Sequence, residues 1–142
     1  MQRQRSSGFD SRNVANAMRR EIVSPDASPS TRRVFIVEDE FLIRMLLEEM
    51  LGDLGHSVAG SVGSVDEAEA LARTVDCDLA MLDINLDGRE VYPVADILAD
   101  RGLPFAFVTG YDNSGLSEAY RHHPTVRKPF QVDDLRRTIA SL

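Results

Sequence analysis

The pattern of apolar and polar positions changes at about residue 31. Before that point large apolar residues are sparse, and SPDASPST (24–31) has the composition of a flexible linker. Beyond it, short β-branched and aromatic runs alternate with segments in which apolar residues recur every three or four positions. The pattern predicts a flexible N-terminal extension over residues 1–31 and one globular domain over residues 32–142.

Five of the apolar runs have the length and composition of β-strands. RVFIV is apolar after its first residue, which is typical of a strand buried on both faces of a sheet. The segments between the runs read mostly as helices, and strict alternation of strands and helices predicts a parallel sheet with helices on both faces. The predicted strands are 33–37, 57–62, 78–83, 103–110 and 124–128.

The intervening segments differ in how strongly they predict helices. At the start of the second predicted helix, Ser64 and Glu67 have the spacing of a capping box. Residues 112–123 contain a glycine and few apolar positions, so we expect 112–121 to be mobile or irregular. The first helix shows an apolar stripe at helical spacing before its stop signal at Gly55. The stripe consists of Phe41, Leu42, Met45, Leu46, Met50 and Leu54.

Charge and cysteine content narrow the function classes. Residues 1–33 carry seven Arg and three acidic residues, whereas residues 34–142 carry nine basic and 20 acidic residues. An acidic body of this kind repels nucleic acid. No apolar run is long enough to cross a membrane, no signal-peptide core precedes the domain, and Cys77 is the single cysteine. We expect a cytoplasmic protein without membrane insertion or disulfides.

Polar side chains gather where the predicted strands end. The first strand runs into Glu38 and Asp39, the third ends on Asp83, the fourth ends on Thr109, and Lys128 follows the fifth. In open parallel sheets, ligands bind at the carboxyl ends of the strands. The sequence therefore predicts one site that combines carboxylates, a hydroxyl and a cation.

The chemistry of that site follows from its charges. Carboxylates that lie close together raise one another's pKa unless a cation joins them, and hard oxygen ligands suit Mg²⁺. With the metal bound, one remaining carboxylate can attack phosphorus and form an aspartyl phosphate. A lysine and a hydroxyl would then stabilise the transferring group. Lys128 is the only lysine among 16 basic residues, which favours a requirement for a compact point charge there.

These motifs occur in the order and spacing of a known family. Residues 32–142 resemble the receiver domain of bacterial two-component response regulators. The resemblance implies a doubly wound (βα)5 flavodoxin-like α/β fold, a three-layer sandwich whose five-stranded parallel sheet has the order 2-1-3-4-5. It also implies a phosphoacceptor, Asp83, assisted by Thr109 and Lys128. The Mg²⁺ ligands that it implies are Glu38, Asp39, Asp83 and the backbone carbonyl of Asn85.

The chain also departs from the usual receiver pattern. Receivers usually place a proline four or five residues after the phosphoacceptor, where this chain has Asp87 and Gly88. Thr125 stands where the aromatic switch residue is usual, so we expect Tyr111 to act with Thr109 as the switch. PFAFVTGY (104–111) looks like the FATGUY motif of one receiver subgroup. That subgroup is associated with histidine kinases of the HWE/HisKA2 class.

The resemblance implies a signalling module rather than an enzyme. We expect phosphotransfer from a histidine kinase or a phosphotransfer protein, with Mg²⁺-dependent self-phosphorylation and slow autodephosphorylation as the only chemistry. Because no output domain follows within the 142 residues, we expect output through protein contacts, phosphate relay or a phosphate-sink role. The sequence leaves open whether the protein forms a homodimer. The alternative is a phosphorylation-independent interaction domain. Flavin binding is disfavoured because EDEFL (38–42) is not the Ser/Thr- or Gly-rich loop that a flavin phosphate needs. Haloacid-dehalogenase-type phosphatase activity is disfavoured because the segment lacks the motif Asp-x-Asp-x-Thr.

Simpler structural roles exist for several of these residues. Asp39 or Glu40 could cap the following helix, and Asp83 could begin a turn with Asn85. We expect His122 and His123 to be surface residues and Cys77 to be a small buried apolar residue.

Overall fold

A computed structural model describes residues 31–110 and 116–142. In chain order its strands are β1 (Arg33–Val37), β2 (Ser57–Val62), β3 (Leu79–Asp83), β4 (Asn85–Leu86), β5 (Arg89–Glu90), β6 (Phe105–Thr109) and β7 (Thr125–Arg127). Five strands form one parallel sheet in the order β2-β1-β3-β6-β7, and β4 and β5 form a separate antiparallel hairpin. With the unpredicted hairpin set aside, this is the predicted strand order.

The central strands are apolar throughout because both of their faces are covered. Every residue of β3 and β6 is buried, and so are four of the five residues of β1. Since successive side chains of a strand point to opposite faces, neighbours divide between two cores. Phe35 and Phe107 belong to one core, whereas Ile36 and Met81 belong to the other. The sheet is therefore the middle layer of three, as predicted.

Four helices supply the outer layers. They are α1 (Phe41–Asp53), α2 (Val65–Ala72), α3 (Tyr92–Asp100) and α4 (Val132–Ser141). Apolar residues of α2 and α3 join the core of Phe35, and those of α1 and α4 join the core of Ile36. Ser64 is the N-cap of α2 and its side chain accepts a hydrogen bond from the Glu67 amide at 3.2 Å, which confirms the predicted cap. No helix in the described ranges is long and apolar enough to cross a membrane.

The predicted apolar stripe of α1 is not its buried face. Leu47 and Leu51 are the fully buried residues, and Met50 and Leu54 are half-buried. Apolar residues occur nearly all round this helix, so periodicity alone does not select a face, and contacts with the sheet decide it. The rest of the stripe is exposed to 62%, 76%, 49% and 44% at Phe41, Leu42, Met45 and Leu46 respectively.

The segment before β7 is irregular in its described part. Residues 116–121 contain only a single 3₁₀ turn, Glu118–Tyr120, and the rest of the predicted segment, residues 112–115, lies outside the described residues. Tyr120 anchors this turn: its ring stacks on Tyr92 with 5.8 Å between centroids, and its hydroxyl donates to Asp96 Oδ1 at 2.6 Å. A few aromatic contacts therefore replace a packed helix here.

The structure confirms one of the simpler roles only in part, and one minor expectation was wrong. Glu40 occupies the N-cap position of α1, but its side chain makes no capping hydrogen bond. His123 is half-buried rather than on the surface, because its ring stacks on Phe105 at 4.2 Å between centroids and its Nε2 donates to the Phe105 carbonyl at 2.8 Å. Cys77 is buried as expected.

The face of α1 can be tested with two leucines of the same helix. We expect Leu47→Ala to lower the free energy of unfolding by about 2–5 kcal/mol, because it opens a cavity in a closed core. The matched control Leu42→Ala removes an exposed side chain and should cost no more than about 0.5 kcal/mol. Urea unfolding followed by circular dichroism measures both values. Equal losses would contradict this assignment of the buried face.

Candidate phosphoacceptor and metal site

The site lies at the carboxyl ends of adjacent parallel strands. Glu38 follows β1, Asp83 ends β3 and Thr109 ends β6, and Lys128 follows β7. Strand pairing places Asp83 beside Val108 and Thr109 beside Arg127, so the polar side chains come to the same edge of the sheet. The structure thus brings together the residues that the strand ends predicted.

Lys128 lies between two acidic residues. Its Nζ is 2.9 Å from Glu38 Oε1 and 3.4 Å from Asp83 Oδ2. Its backbone amide donates to the Thr109 carbonyl at 2.8 Å, which ties the lysine to the end of β6. The single lysine of the chain therefore carries the positive charge of the site.

Glu38 is a buried acid that is held from several sides. Its residue is only 2% exposed, its backbone amide donates to the Val62 carbonyl at 3.0 Å, and its Oε2 accepts from the Glu40 amide at 3.0 Å. Oε1 contacts Lys128 but is the one buried side-chain polar atom in the described ranges without a well-aligned hydrogen bond. This oxygen retains capacity for a further electrostatic partner.

Asp39 contacts the hairpin that sequence analysis did not predict. Asp39 Oδ2 accepts from the Asp87 amide at 3.1 Å, and Asn85 Oδ1 accepts from the Gly88 amide at 2.8 Å. Asp87 and Gly88 both have positive φ, 53° and 88°, as a two-residue type I′ turn requires. The Asp-Gly dipeptide was the sequence signal for this hairpin. The turn stands where receivers usually have a proline.

The donor set fits Mg²⁺. Carboxylate oxygens of Glu38, Asp39 and Asp83 lie within 4.8 Å of one another. Three carboxylates against the single ammonium of Lys128 leave a formal excess of two negative charges, which one divalent cation balances. Hard oxygen ligands and room for water are what Mg²⁺ prefers. The ligand role of the Asn85 backbone carbonyl stays a prediction.

Comparisons with known proteins identify the family of this chain. Residues 34–140 match the family model of the response regulator receiver domain. The chain belongs to this family. Receivers are signalling domains, and the two-component assignment is thereby confirmed.

Relatives of this receiver come from several bacteria. It is 35% identical over 108 residues to the transcriptional regulatory protein PdtaR of Mycobacterium tuberculosis, a match that covers 73% of this chain and 53% of that protein. It is 33% identical over 119 residues to the phyllosphere-induced regulator PhyR of Methylorubrum extorquens, covering 80% and 44% respectively. The receiver thus spans about half the length of these curated relatives.

Solved structures show the same fold. The solution structure of SdrG from Sphingomonas melonis Fr1 has a TM-score of 0.71 and 37% identity, covering 80% of this chain and 97% of that one. SdrG from Pseudomonas melonis Fr1 in its BeF₃-activated conformation has a TM-score of 0.68 and 38% identity, covering 80% and 98% respectively. The similarity therefore covers nearly the whole of those chains.

Burial and charge determine the protonation of the site. Burial, and then the neighbouring charges of Glu38 and Asp39, raise the pKa of Asp83 to about 7, although Lys128 acts in the opposite sense. Burial would lower the pKa of Lys128, but its contacts with Glu38 and Asp83 outweigh that effect and raise it. The lysine is therefore charged at neutral pH, and the Asp83 carboxylate is poorly stabilised in the metal-free receiver.

Sequence reasoning missed some contacts of the site. It assigned Glu38 to the metal, whereas in the structure Glu38 is also the nearer ion-pair partner of Lys128. It missed the hairpin behind Asp39, and it gave no role to Arg44, whose Nη1 donates to the Glu38 carbonyl at 3.1 Å. Tyr111, the proposed switch residue, lies outside the described residues.

The raised pKa of Asp83 predicts how stability depends on pH without metal. Because the folded pKa is above the usual value of 3.8, the folded state favours the neutral acid, and stability is lost as the pH rises from about 4 to about 7. We expect Asp83→Asn to remove this loss and to be more stable than the parent by about 1–2 kcal/mol at pH 8, since residual hydration of Asp83 reduces the effect. Thermal unfolding in EDTA at a series of pH values measures this effect as the difference in stability between the parent and the variant. A flat difference curve would contradict the assignment.

Proposed function

We propose that this receiver accepts a phosphoryl group on Asp83 from a histidine kinase or a phosphotransfer protein. The observation that carries the proposal is the placement of the Asp83 carboxylate at 3.4 Å from Lys128 Nζ, within 4.8 Å of two further carboxylates. A nucleophile, a cation and a set of metal ligands at one strand edge are the parts that phosphoryl transfer to a carboxylate needs.

The roles of the protein groups follow from their positions. One carboxylate oxygen of Asp83 attacks phosphorus as the bond to the donor nitrogen or oxygen breaks, so the phosphoryl group moves to Asp83 and the electron pair leaves with the donor. Lys128 stabilises negative charge on the phosphoryl oxygens. We assign the Thr109 side chain, at the end of β6, to one of those oxygens.

A bound Mg²⁺ would offset charge on the transferring group. We assign Asp39, Asp83 and the Asn85 carbonyl as its ligands, with Glu38 acting directly or through water. The buried Glu38 oxygen without an aligned hydrogen bond supports the last assignment. We expect Mg²⁺ to raise the thermal stability of the parent, since a ligand that binds only the folded state stabilises it.

The similarity to a receiver solved in a BeF₃-activated conformation also supports phosphorylation. We propose that output passes through protein contacts or phosphate relay, in the reducing cytoplasm that a lone buried thiol suits. The FATGUY-like motif PFAFVTGY (104–111) favours kinases of the HWE/HisKA2 class as partners. Phosphotransfer profiling against kinases of that class and of other classes tests this assignment.

The phosphoacceptor can be identified by intact mass. After incubation with Mg²⁺ and acetyl phosphate, or with a phosphorylated kinase where the small donor does not react, we expect the parent to gain one phosphoryl mass. Asp83→Asn should gain none. Asp87→Asn is the matched control, because only the backbone amide of Asp87 contacts the site and Asn tolerates its positive φ.

Two outcomes would overturn this assignment. Labelling of Asp83→Asn to the parent level would place the phosphoryl group elsewhere. No labelling of the parent by any kinase tested, with Mg²⁺ present, would favour the phosphorylation-independent interaction domain.

We also propose that Tyr111 and Thr109 form the switch. Thr125 supplies no aromatic ring at the usual switch position, whereas Tyr111 follows the end of β6 closely. We expect beryllofluoride with Mg²⁺ to change the ring orientation of Tyr111, and NMR of a Tyr-labelled sample measures it. Tyr92, in the described aromatic cluster, serves as the internal reference. An unchanged Tyr111 in a saturated complex would remove this role.

A further inference from the structure

Arg44 reaches back from α1 to the turn that carries the acids. Its Nη1 donates to the backbone carbonyl of Glu38 at 3.1 Å. The Glu38 amide donates to the Val62 carbonyl at 3.0 Å, so both backbone polar groups of Glu38 are held. Neither phosphoryl transfer nor metal binding, as described above, assigns a role to this guanidinium.

Gly63 supplies the space that the guanidinium occupies. A Cβ atom on Gly63 would lie 2.6 Å from Arg44 Nη1, closer than non-bonded atoms approach, and 3.5 Å from the Glu38 carbonyl oxygen. Gly63 is not among the glycines with positive φ in the described ranges, so its backbone does not require glycine. The missing side chain matters because it leaves room for Arg44.

A third contact of the guanidinium is with an aromatic ring. Arg44 Cζ lies 5.9 Å from the centroid of the Phe41 ring, within the range of a cation–π contact. Phe41 is the first residue of α1 and is 62% exposed. The aromatic ring, the glycine and the carbonyl together define one position for the guanidinium.

We propose that Arg44 and Gly63 form a positioning clamp on the Glu38 carbonyl. Here "clamp" means these two residues and their contact with that carbonyl. By fixing the peptide that joins Glu38 to Asp39, the clamp keeps both carboxylates within reach of Asp83. Its consequence for Mg²⁺ and phosphoryl transfer rests on the proposed function, whereas the contact itself does not.

Two variants separate the effect of the position of the guanidinium from the effect of its charge. Arg44→Met removes the contact together with a positive charge, and losing a cation near the acids would by itself strengthen Mg²⁺ binding. Gly63→Ala retains the charge and displaces only the end of a flexible side chain, so it should fold normally. Gly52→Ala is the matched control, because a Cβ at Gly52, within α1, meets nothing within 4 Å.

The first measurement needs neither metal nor phosphate. The Glu40 amide donates to Glu38 Oε2 and so reports the order of the acidic turn. We expect hydrogen exchange of this amide to become about three- to tenfold faster in Gly63→Ala and in Arg44→Met, the fold-change of one lost hydrogen bond. Gly63→Ala should add nothing in the Arg44→Met background, because the two residues act through one contact. Gly52→Ala should leave the exchange rate unchanged.

The second measurement separates positioning from general stability. We expect Gly63→Ala to weaken Mg²⁺ binding about three- to tenfold by calorimetry, while Gly52→Ala leaves the dissociation constant unchanged. A Gly63→Ala variant that behaves like Gly52→Ala in both measurements would overturn the clamp, and so would additive effects of Gly63→Ala and Arg44→Met. If the exchange data follow expectation but the parent is never phosphorylated, the clamp stands and the proposed function fails.

Discussion

The crowding of three carboxylates around one ammonium is the interaction on which the rest of this site depends. Glu38, Asp39 and Asp83 lie within 4.8 Å of one another, and only Lys128 among the described contacts opposes their charge directly. Burial and like charge raise the pKa of Asp83 to about 7. A site that is poorly balanced when empty gains stability from whatever neutralises it, and a divalent cation does this best. Such an arrangement favours the metal-bound form that the proposed phosphoryl transfer uses.

The fold remains stable despite this crowding of negative charge. Each acid sits at the end of a strand that is apolar and buried on both faces, so the sheet is stabilised by its two cores and not by the site. The same arrangement restricts where the charges can move, since backbone hydrogen bonds hold Glu38 to β2 and Lys128 to β6. The hairpin adds a further constraint, because the Asp87 amide donates to Asp39. The strand ends therefore set the distances between the charges.

One part of the chain that departs from the common receiver pattern lies beside this site. A type I′ turn at Asp87 and Gly88 stands where proline is usual, and its backbone contacts the Asp39 carboxylate. The segment before β7 contains a single 3₁₀ turn in its described part, and Tyr120 anchors it on Tyr92 and Asp96. Few buried contacts of this kind imply low local stability.

The sequence by itself determined the sheet, because buried parallel strands have a composition of their own. It also determined the residues that meet at the edge of the sheet, because the carboxyl ends of parallel strands coincide there. The strand order came from the family resemblance. The sequence did not determine the buried face of α1, since apolar residues surround that helix and only contact with the sheet selects Leu47 over Leu46. Nor did it reveal the hairpin at Asp87 or the contact of Arg44 with Glu38. Such contacts join residues through space, and their existence depends on distances that only the folded backbone defines.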